Sequence, residues 1–553
     1  MEEDENQVGR RLRDVGNRYH IIRPEKPDAW WRKRSNQYAF DPSEYQTLFY
    51  ARNDDLDRDR IVGHRRTAEA LEEFVAADRS PPRHVLLEIA RHYEAAEEPV
   101  AAGRLLVEIA NATLREGADR ETVANAERAV DLLRMSFSDG TVEDDDRADA
   151  QDVLSQAVVL VLLGGDAGWR ASNEDYSLGR LVALADEAAT LASSDGLRAN
   201  AWFAKARVLT AFGELKDAVT TYQRALVLAE RAGDPVTRFA VLINLGHHLA
   251  SENLEQGWER LQEAHRLITR AALAQKLRPA AIELETARLE SRLGAAAFDL
   301  GRYGDALEYL TRCTATLRAR GQRNETAKAT TFLGQLYTAI GMYEEGEAAL
   351  QEAIASFAEE QESLSTRGYL RALLGRLYLK WQPARMSESR AELAAGREET
   401  VASGRHSTLP LADTYWAELL LAEGSPESLR EADATLTEVA TFGWARGEIA
   451  SSSVRARIAL AEDRAADALT LSTHAVHLLE EHGGSVPTVQ SEEIFLVHAQ
   501  ALTAAGSPQA RGYAQKAQAI LAKKAASLQG DARTSFLERV QLSLDVLEIA
   551  RSL

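Results

Sequence analysis

The stretch LGAAAFDLGRYGDALEYL, residues 293–310, is echoed forty residues later by LGQLYTAIGMYEEGEAAL, residues 333–350. Both begin Leu-Gly (Leu293-Gly294, Leu333-Gly334) and place a second glycine seven residues on (Gly301, Gly341). Both then put a tyrosine two positions later (Tyr303, Tyr343) and end on leucine (Leu310, Leu350). Self-similarity at a fixed period decides an architecture before any local reading does. The pattern reads as a helix carrying one small residue, a glycine turn, and a second helix with spaced alanines. Two antiparallel helices approach closely where one presents Gly or Ala to the other. The turn glycine ends the first helix in a left-handed conformation that other residues adopt only with strain.

Following the small residue along the chain gives Ala206, Gly246, Gly294, Gly334, Gly375, Ala417, Ala456 and Ala499, at intervals of 39 to 48 residues. Weaker copies stand around Ala110 and Ala157. One helix pair leaves an apolar face uncovered, so the pairs are expected to stack into an all-α solenoid. At 553 residues the chain is too long for one ordinary core. Its 13 prolines are few for that length, and strand-like alternation nearly vanishes after about residue 50.

WFAKARVLTAFGELKDAVTTYQRAL (202–226) carries Trp202, Gly213, Ala218, Tyr222 and Ala225, and residues 333–353 carry Gly334, Tyr337, Gly341 and Ala353. On these residues the region from about 85 to 545 resembles tetratricopeptide repeats, with a unit nearer 40 residues than the usual ~34. The resemblance implies a right-handed superhelix whose first helices line a concave face. Residues 38–74 resemble the junction between a winged helix and helical repeats in bacterial AAA/STAND-type ATPases. The matching residues are Tyr38, Phe40, Leu48, Tyr50, His64-Arg65-Arg66 and Ala68 to Leu71, with Asp41-Pro42 standing where those proteins have His-Pro. That resemblance implies a last winged-helix helix over 8–23 and a β-wing over 20–40, the first half of the domain being absent. No GxxxxGK[ST] loop occurs, so the chain has no phosphate cradle of that kind, and a separate ATPase or effector chain would supply any motor. The expected division is a partial winged-helix-like segment over 1–58, early repeats over 59–135, an acidic loop over 136–150, the main solenoid over 151–545 and a tail over 546–553.

The formal charge is −20, from 85 acidic and 65 basic residues, which argues against general nucleic-acid or membrane-surface binding. A single cysteine, Cys313, forbids an internal disulfide and fits a reducing cytoplasm. The opening MEEDENQVGRRL lacks a signal peptide's apolar core. The longest apolar run, residues 157–163, falls far short of the ~20 residues that cross a bilayer.

The candidate chemical sites are weak. GGDAG (164–168) lacks the Lys and Ser/Thr of a nucleotide loop. His474, His477 and Glu481 share one helix face beside His482, a spacing that suits zinc, but solvated histidines at a helix end explain it more simply. His247 and His248 are adjacent and point to different faces. Cys313 falls at a packing position and reads as a buried structural thiol. WWRKR (30–34) mixes aromatics and cations, as nucleic-acid surfaces do, or forms a wing packed on the first repeats. No catalytic spacing is recognisable, so no cofactor, metal or enzymatic activity is expected.

The repeat register supplies the one constellation pointing to recognition. The positions the resemblance puts on the concave face include Asn200, Phe203, Arg207, His247, Arg288, Phe298, Lys328, Gln335, Arg376 and Arg457. Five are Lys or Arg, and Glu418 and Glu493 are the acids at those positions. In an acidic chain this reverses the sign of one surface. It reads as a groove for an extended or helical protein or peptide segment bearing carboxylates, held by forked arginine hydrogen bonds. The same pattern arises if the cations merely neutralise neighbouring acidic helices. The function expected is a non-enzymatic scaffold or sensor that regulates a partner effector in bacterial signalling or defence. One alternative is a transcription regulator whose winged-helix remnant, with Arg10, Arg11 and Arg13, contacts DNA beside a partner chain. Another is an enzyme with an unrecognised site.

Overall fold

In the computed structural model the described residues are 22–24, 38–40, 57–75, 81–116, 118–165, 177–270, 279–357, 364–381, 385–403, 408–442 and 444–553. The chain divides into two compact units, Met1–Ala167 and Gly168–Leu553.

In the first unit, β1 (Ile22–Pro24) pairs antiparallel with β2 (Tyr38–Phe40), Ile22 opposite Phe40. The helix expected over 8–23 lies outside the described residues except for Ile22 and Arg23, which belong to the strand. WWRKR and Arg10, Arg11 and Arg13 also lie outside them. Five helices follow: α1 (Asp57–Val75), α2 (Arg83–Ala95), α3 (Pro99–Glu116), α4 (Asp119–Asp139) and α5 (Arg147–Gly164). Ile89, Leu106, Ile109, Leu133 and Leu162 are fully buried among them, as are Ala110 and Ala157. The acidic stretch 136–150, expected as a loop, covers the end of α4, the connection, and the first turn of α5 from Arg147.

The second unit begins with α6 (Leu178–Leu191) and continues as helix pairs. These are α7 (Asp195–Ala211) with α8 (Leu215–Arg231), α9 (Pro235–Glu252) with α10 (Leu254–Ile268), and α11 (Pro279–Asp299) with α12 (Tyr303–Ala319). Then come α13 (Arg323–Ala339) with α14 (Tyr343–Ser356), and α15 (Leu364–Lys380) with α16 (Met386–Ala402). The last are α17 (Leu409–Glu423) with α18 (Pro426–Ala440), α19 (Ala445–Ala461) with α20 (Ala465–Glu481), and α21 (Ser491–Ala504) with α22 (Ala510–Ser527). Two short helices, α23 (Gly530–Glu538) and α24 (Gln541–Ser552), close the chain. Residues 546–552, expected to form a tail, are therefore the end of α24, where Val546 is fully buried.

Burial distinguishes the two members of a pair. First helices are covered on more than one side: α17 buries the unbroken run from Ala412 to Leu420. Second helices bury a single stripe, as α8 does with Ala218, Tyr222, Ala225 and Ala229. First helices thus form the more enclosed layer of the pairs.

All eight tracked small residues fall on first helices. A Cβ at Gly294 would lie 2.5 Å from Leu310 Cγ, and one at Gly334 would lie 2.7 Å from Leu350 Cγ. The leucine closing each of the two opening stretches therefore packs onto the glycine that starts it. The turn glycines Gly213, Gly301 and Gly341 have φ of +86°, +71° and +76°. Gly334→Leu is expected to force α13 from α14 and destabilise the unit by about 3 kcal/mol, the upper range for overpacking. Urea unfolding checks this, and a wild-type midpoint would disprove the packing register.

Candidate functional site

The first helices of the second unit present two zones of different chemistry. The first spans α7 to α13. Asn200 accepts a hydrogen bond from the Thr237 hydroxyl at 2.7 Å, and Phe203 packs on Tyr222 with ring centroids 6.0 Å apart. Tyr222 also stacks on His248 at 5.7 Å. Arg288 pairs with Glu285 at 2.7 Å and Lys328 with Glu325 at 3.0 Å, both within one helix. The sequence reading missed Arg292, one turn beyond Arg288. Among the described residues Arg292 has no hydrogen-bond or ion-pair partner. Its charged form is disfavoured by withdrawal from bulk water and by Arg207, against the attraction of Glu325. His247 is exposed, with Arg292, His248 and Lys328 around it. Withdrawal from bulk water, then Arg292, His248 and Lys328, hold it well below the ordinary histidine range. Burial, Arg292 and Arg207 push His248 down to about 4. Both histidines are neutral at pH 7, so the cations here are Arg207, Arg288, Arg292 and Lys328, against the carboxylates Glu285 and Glu325.

The second zone spans α11 to α24. Here the wall surrounds a cavity of about 440 Å³. Phe298, Gln335, Arg376 and Arg457, four of the residues singled out by register, line it. Arg376 contacts Glu418 at 3.3 Å and lies 4.4 Å above the Tyr415 ring, Lys380 reaches Glu418 at 3.3 Å, and Arg457 pairs with Glu493 at 3.2 Å. Burial works against the Glu418 charge, but Arg376, Lys380 and Arg457 outweigh it and hold the carboxyl well below its usual range. The two acids of the register therefore meet two of its arginines, and the sign reversal is largely cancelled in this zone.

The chain's last helices close this zone. Lys524 donates to both carboxylate oxygens of Glu492 at 2.7 Å and to the Tyr303 hydroxyl at 3.0 Å. Gly304 N donates to Ser527 Oγ at 3.1 Å, and Arg539 pairs with Glu344 at 3.0 Å. Phe536 meets Tyr303 edge-on at 5.7 Å. Absence of a side chain at the turns permits the approach. A Cβ at Gly301 would lie 2.8 Å from Lys524 Cε, and one at Gly304 would lie 1.9 Å from the Ser527 carbonyl oxygen. The connection between α20 and α21 joins the same edge, with Ser485 Oγ donating to Asp299 O at 3.3 Å and Thr488 N to Asp299 Oδ1 at 3.0 Å. Thr488 has φ +67°, a backbone state that a β-branched residue holds only when its contacts over-determine it.

The other candidates have structural roles. Cys313 is fully buried, donates to Leu310 O at 3.3 Å, and is pushed up to about 12 chiefly by burial. His474 meets Glu448 at 2.9 Å, His477 meets Glu481 at 3.3 Å, and His482 approaches Leu478 O at 2.8 Å. Each histidine has its own partner, and among the described residues no group of three or more His, Cys, Asp or Glu is placed to hold a metal. Gly164 ends α5 and Gly165 caps it, while the rest of GGDAG lies outside the described residues. No described helix is long and apolar enough to cross a membrane.

Residues 285–359 match the family model for the tetratricopeptide repeat. No curated protein matches the chain. Among solved structures, a Rap protein complexed with competence and sporulation factor is 13% identical, covering 78% of this chain and 100% of its own, with a TM-score of 0.44. The apo form of RapI is 12% identical over 69% of this chain and 97% of its own, with a TM-score of 0.47. A signal transduction ATPase with numerous domains and a tetratricopeptide repeat sensor, from Pyrococcus horikoshii, is 12% identical, with a TM-score of 0.45. The match covers 73% of this chain and 55% of that protein. The chain carries tetratricopeptide repeats, matched by sequence over residues 285–359 and set within a longer run of helix pairs built on the same plan.

Proposed function

We propose that this chain is a non-catalytic scaffold or sensor whose concave wall takes a protein or peptide partner and conveys that binding to an effector. Stacked helix pairs present an extended concave surface suited to recognition. The observation that carries the reading is the cationic stretch formed by Arg207, Arg288, Arg292 and Lys328 in a chain of net charge −20. Arg292 in particular has no ion-paired or hydrogen-bonded carboxylate among the described residues, Glu325 attracting it only from a distance. A partner carboxylate there would gain a charge-assisted, two-pronged hydrogen bond and relieve the repulsion from Arg207. The partner segment is therefore acidic, and it docks over α7 to α13, where Arg292 has no ion-pair partner among the described residues, rather than on Arg376 and Arg457, which hold Glu418 and Glu493. The effector is a separate chain.

The test is affinity capture from the native host with the wild-type chain and with Arg207→Glu/Arg292→Glu/Lys328→Glu. Capture of a partner by wild type, weakened about tenfold or more in the variant and by raised salt, is the expected result. Equal capture by both forms would remove the cationic wall as the contact.

A further inference from the structure

The cavity of the second zone differs chemically from the cationic wall, and its bonding is incomplete in one direction. Four cations line it: Arg376, Lys380, Arg457 and Lys524. Each has a carboxylate within ion-pair distance. Two lining carboxylates, Asp299 and Asp545, have no cation within that distance among the described residues. Asp299 Oδ1 accepts the Thr488 N–H, and Asp545 accepts from Gln541 Nε2 at 2.6 Å, both neutral donors. Loss of bulk water pushes the Asp299 carboxyl up to about 6, against the Thr488 hydrogen bond and the more distant Arg446 and Lys524. A carboxylate in that position is stabilised by an arriving cation. The remaining wall is mixed, with Phe298, Leu373, Leu379, Leu496 and Val497 supplying its apolar part. Gln335 also lines the cavity and offers its amide to a polar atom of the occupant.

We propose that this cavity binds a small ligand through a protonated amine seated on Asp299, with Asp545 adding negative charge from elsewhere on the lining and the ligand's apolar body against Phe298 and the neighbouring leucines. About 440 Å³ lies within the 300–1,000 Å³ range usual for small-molecule sites. An ammonium suits the site because it supplies several donors and a full charge, and because aromatic faces attract it. A carboxylate ligand meets the reverse situation: every cation already has a carboxylate within ion-pair distance, Arg376 and Lys380 sharing Glu418, and Asp299 and Asp545 repel it. The site is independent of the partner-binding reading, since none of the four wall cations named there lines it.

Isothermal titration of the full chain with 2-phenylethylamine and with its N-acetyl derivative tests the assignment. The expected result is saturable binding by the amine, with the N-acetyl form at least about tenfold weaker, the value of one charge-assisted contact. Asp299→Asn keeps an acceptor for the Thr488 N–H and removes the charge. It should abolish the discrimination between the two forms, and Asp545→Asn should reduce it. A tripeptide with a free amino terminus, titrated alongside, separates the sources of the ammonium: tighter binding than the small amine assigns the site to a peptide terminus. Equal binding of the acetylated form would overturn the proposal. So would no binding by any amine at about 10 mM, or amine binding unchanged in both variants. The triple charge-reversal variant should still bind the amine, and Asp299→Asn should still capture the partner, so the two readings fail separately.

Discussion

Lys524→Ala is expected to be the most destabilising single side-chain truncation in the second unit, at about 3–5 kcal/mol. Glu492 is 1% exposed, and the ammonium of Lys524 reaches both of its oxygens. Burial alone would depress the lysine, but Glu492 and Tyr303 overcome it and hold its pKa above the ordinary range. Removing the ammonium leaves a carboxylate in the interior with no countercharge and also strips a donor from the Tyr303 hydroxyl. The double change Lys524→Met/Glu492→Leu should recover most of the loss, because a buried ion pair contributes little net stability over an apolar pair of similar shape. Urea unfolding of the three variants checks this. A wild-type midpoint for Lys524→Ala would show that the last helices do not rest on this contact.

Gly304→Val should release the chain's end without unfolding the repeats. The obstruction is the Ser527 carbonyl oxygen, a backbone atom that cannot rotate away as a side chain does. Any side chain at residue 304 therefore has to separate α12 from the end of α22, and this breaks the Gly304–Ser527 bond and strains those at Lys524 and Arg539. The expected outcome is rapid protease cleavage around residues 527–530 and faster amide exchange through α23 and α24, with exchange in α7 to α10 unchanged. Wild-type protection of α24 would disprove the docking.

The sequence made the repeat legible because packing has a local signature. Gly294 and Gly334 mark close helix crossings, and Gly301 and Gly341 mark turns, whatever lies elsewhere in the chain. The resemblance to tetratricopeptide repeats implied which helix faces inward, and four of the residues chosen on it, Phe298, Gln335, Arg376 and Arg457, line the cavity. What the sequence could not tell was the state of those charges. Arg376 meets Glu418, 42 residues on, only because α15 and α17 are adjacent first helices. Glu418 stood in the same register, so that pairing was within reach of the sequence. Arg292 was missed because only register positions were counted, although it lies four residues, one turn, beyond Arg288. The closure by α22 to α24 left no periodic trace. It joins Tyr303 and Gly304 to Lys524 and Ser527 across 221 and 223 residues, and no repeat pattern reports a contact so remote. Gly304 was the one local hint, a glycine at a helix start where the parallel copy has Glu344.

That closure changes the order in which the molecule can assemble. In an open array each pair rests on its neighbours, so folding spreads along the chain as synthesis proceeds. Here the edge formed by residues 299–304 and 341–344 stays uncovered until residues 484–545 have been made and folded. Joining ends so far apart carries an entropic penalty that grows only slowly, by about 0.6 kcal/mol for each doubling of the loop, but that penalty is met late and in a single step. The middle repeats thus wait in an incomplete form during translation, with Tyr303 and Tyr343 open to solvent. Once the last helices dock, repeats that would otherwise fray one by one are bound into a common cooperative transition.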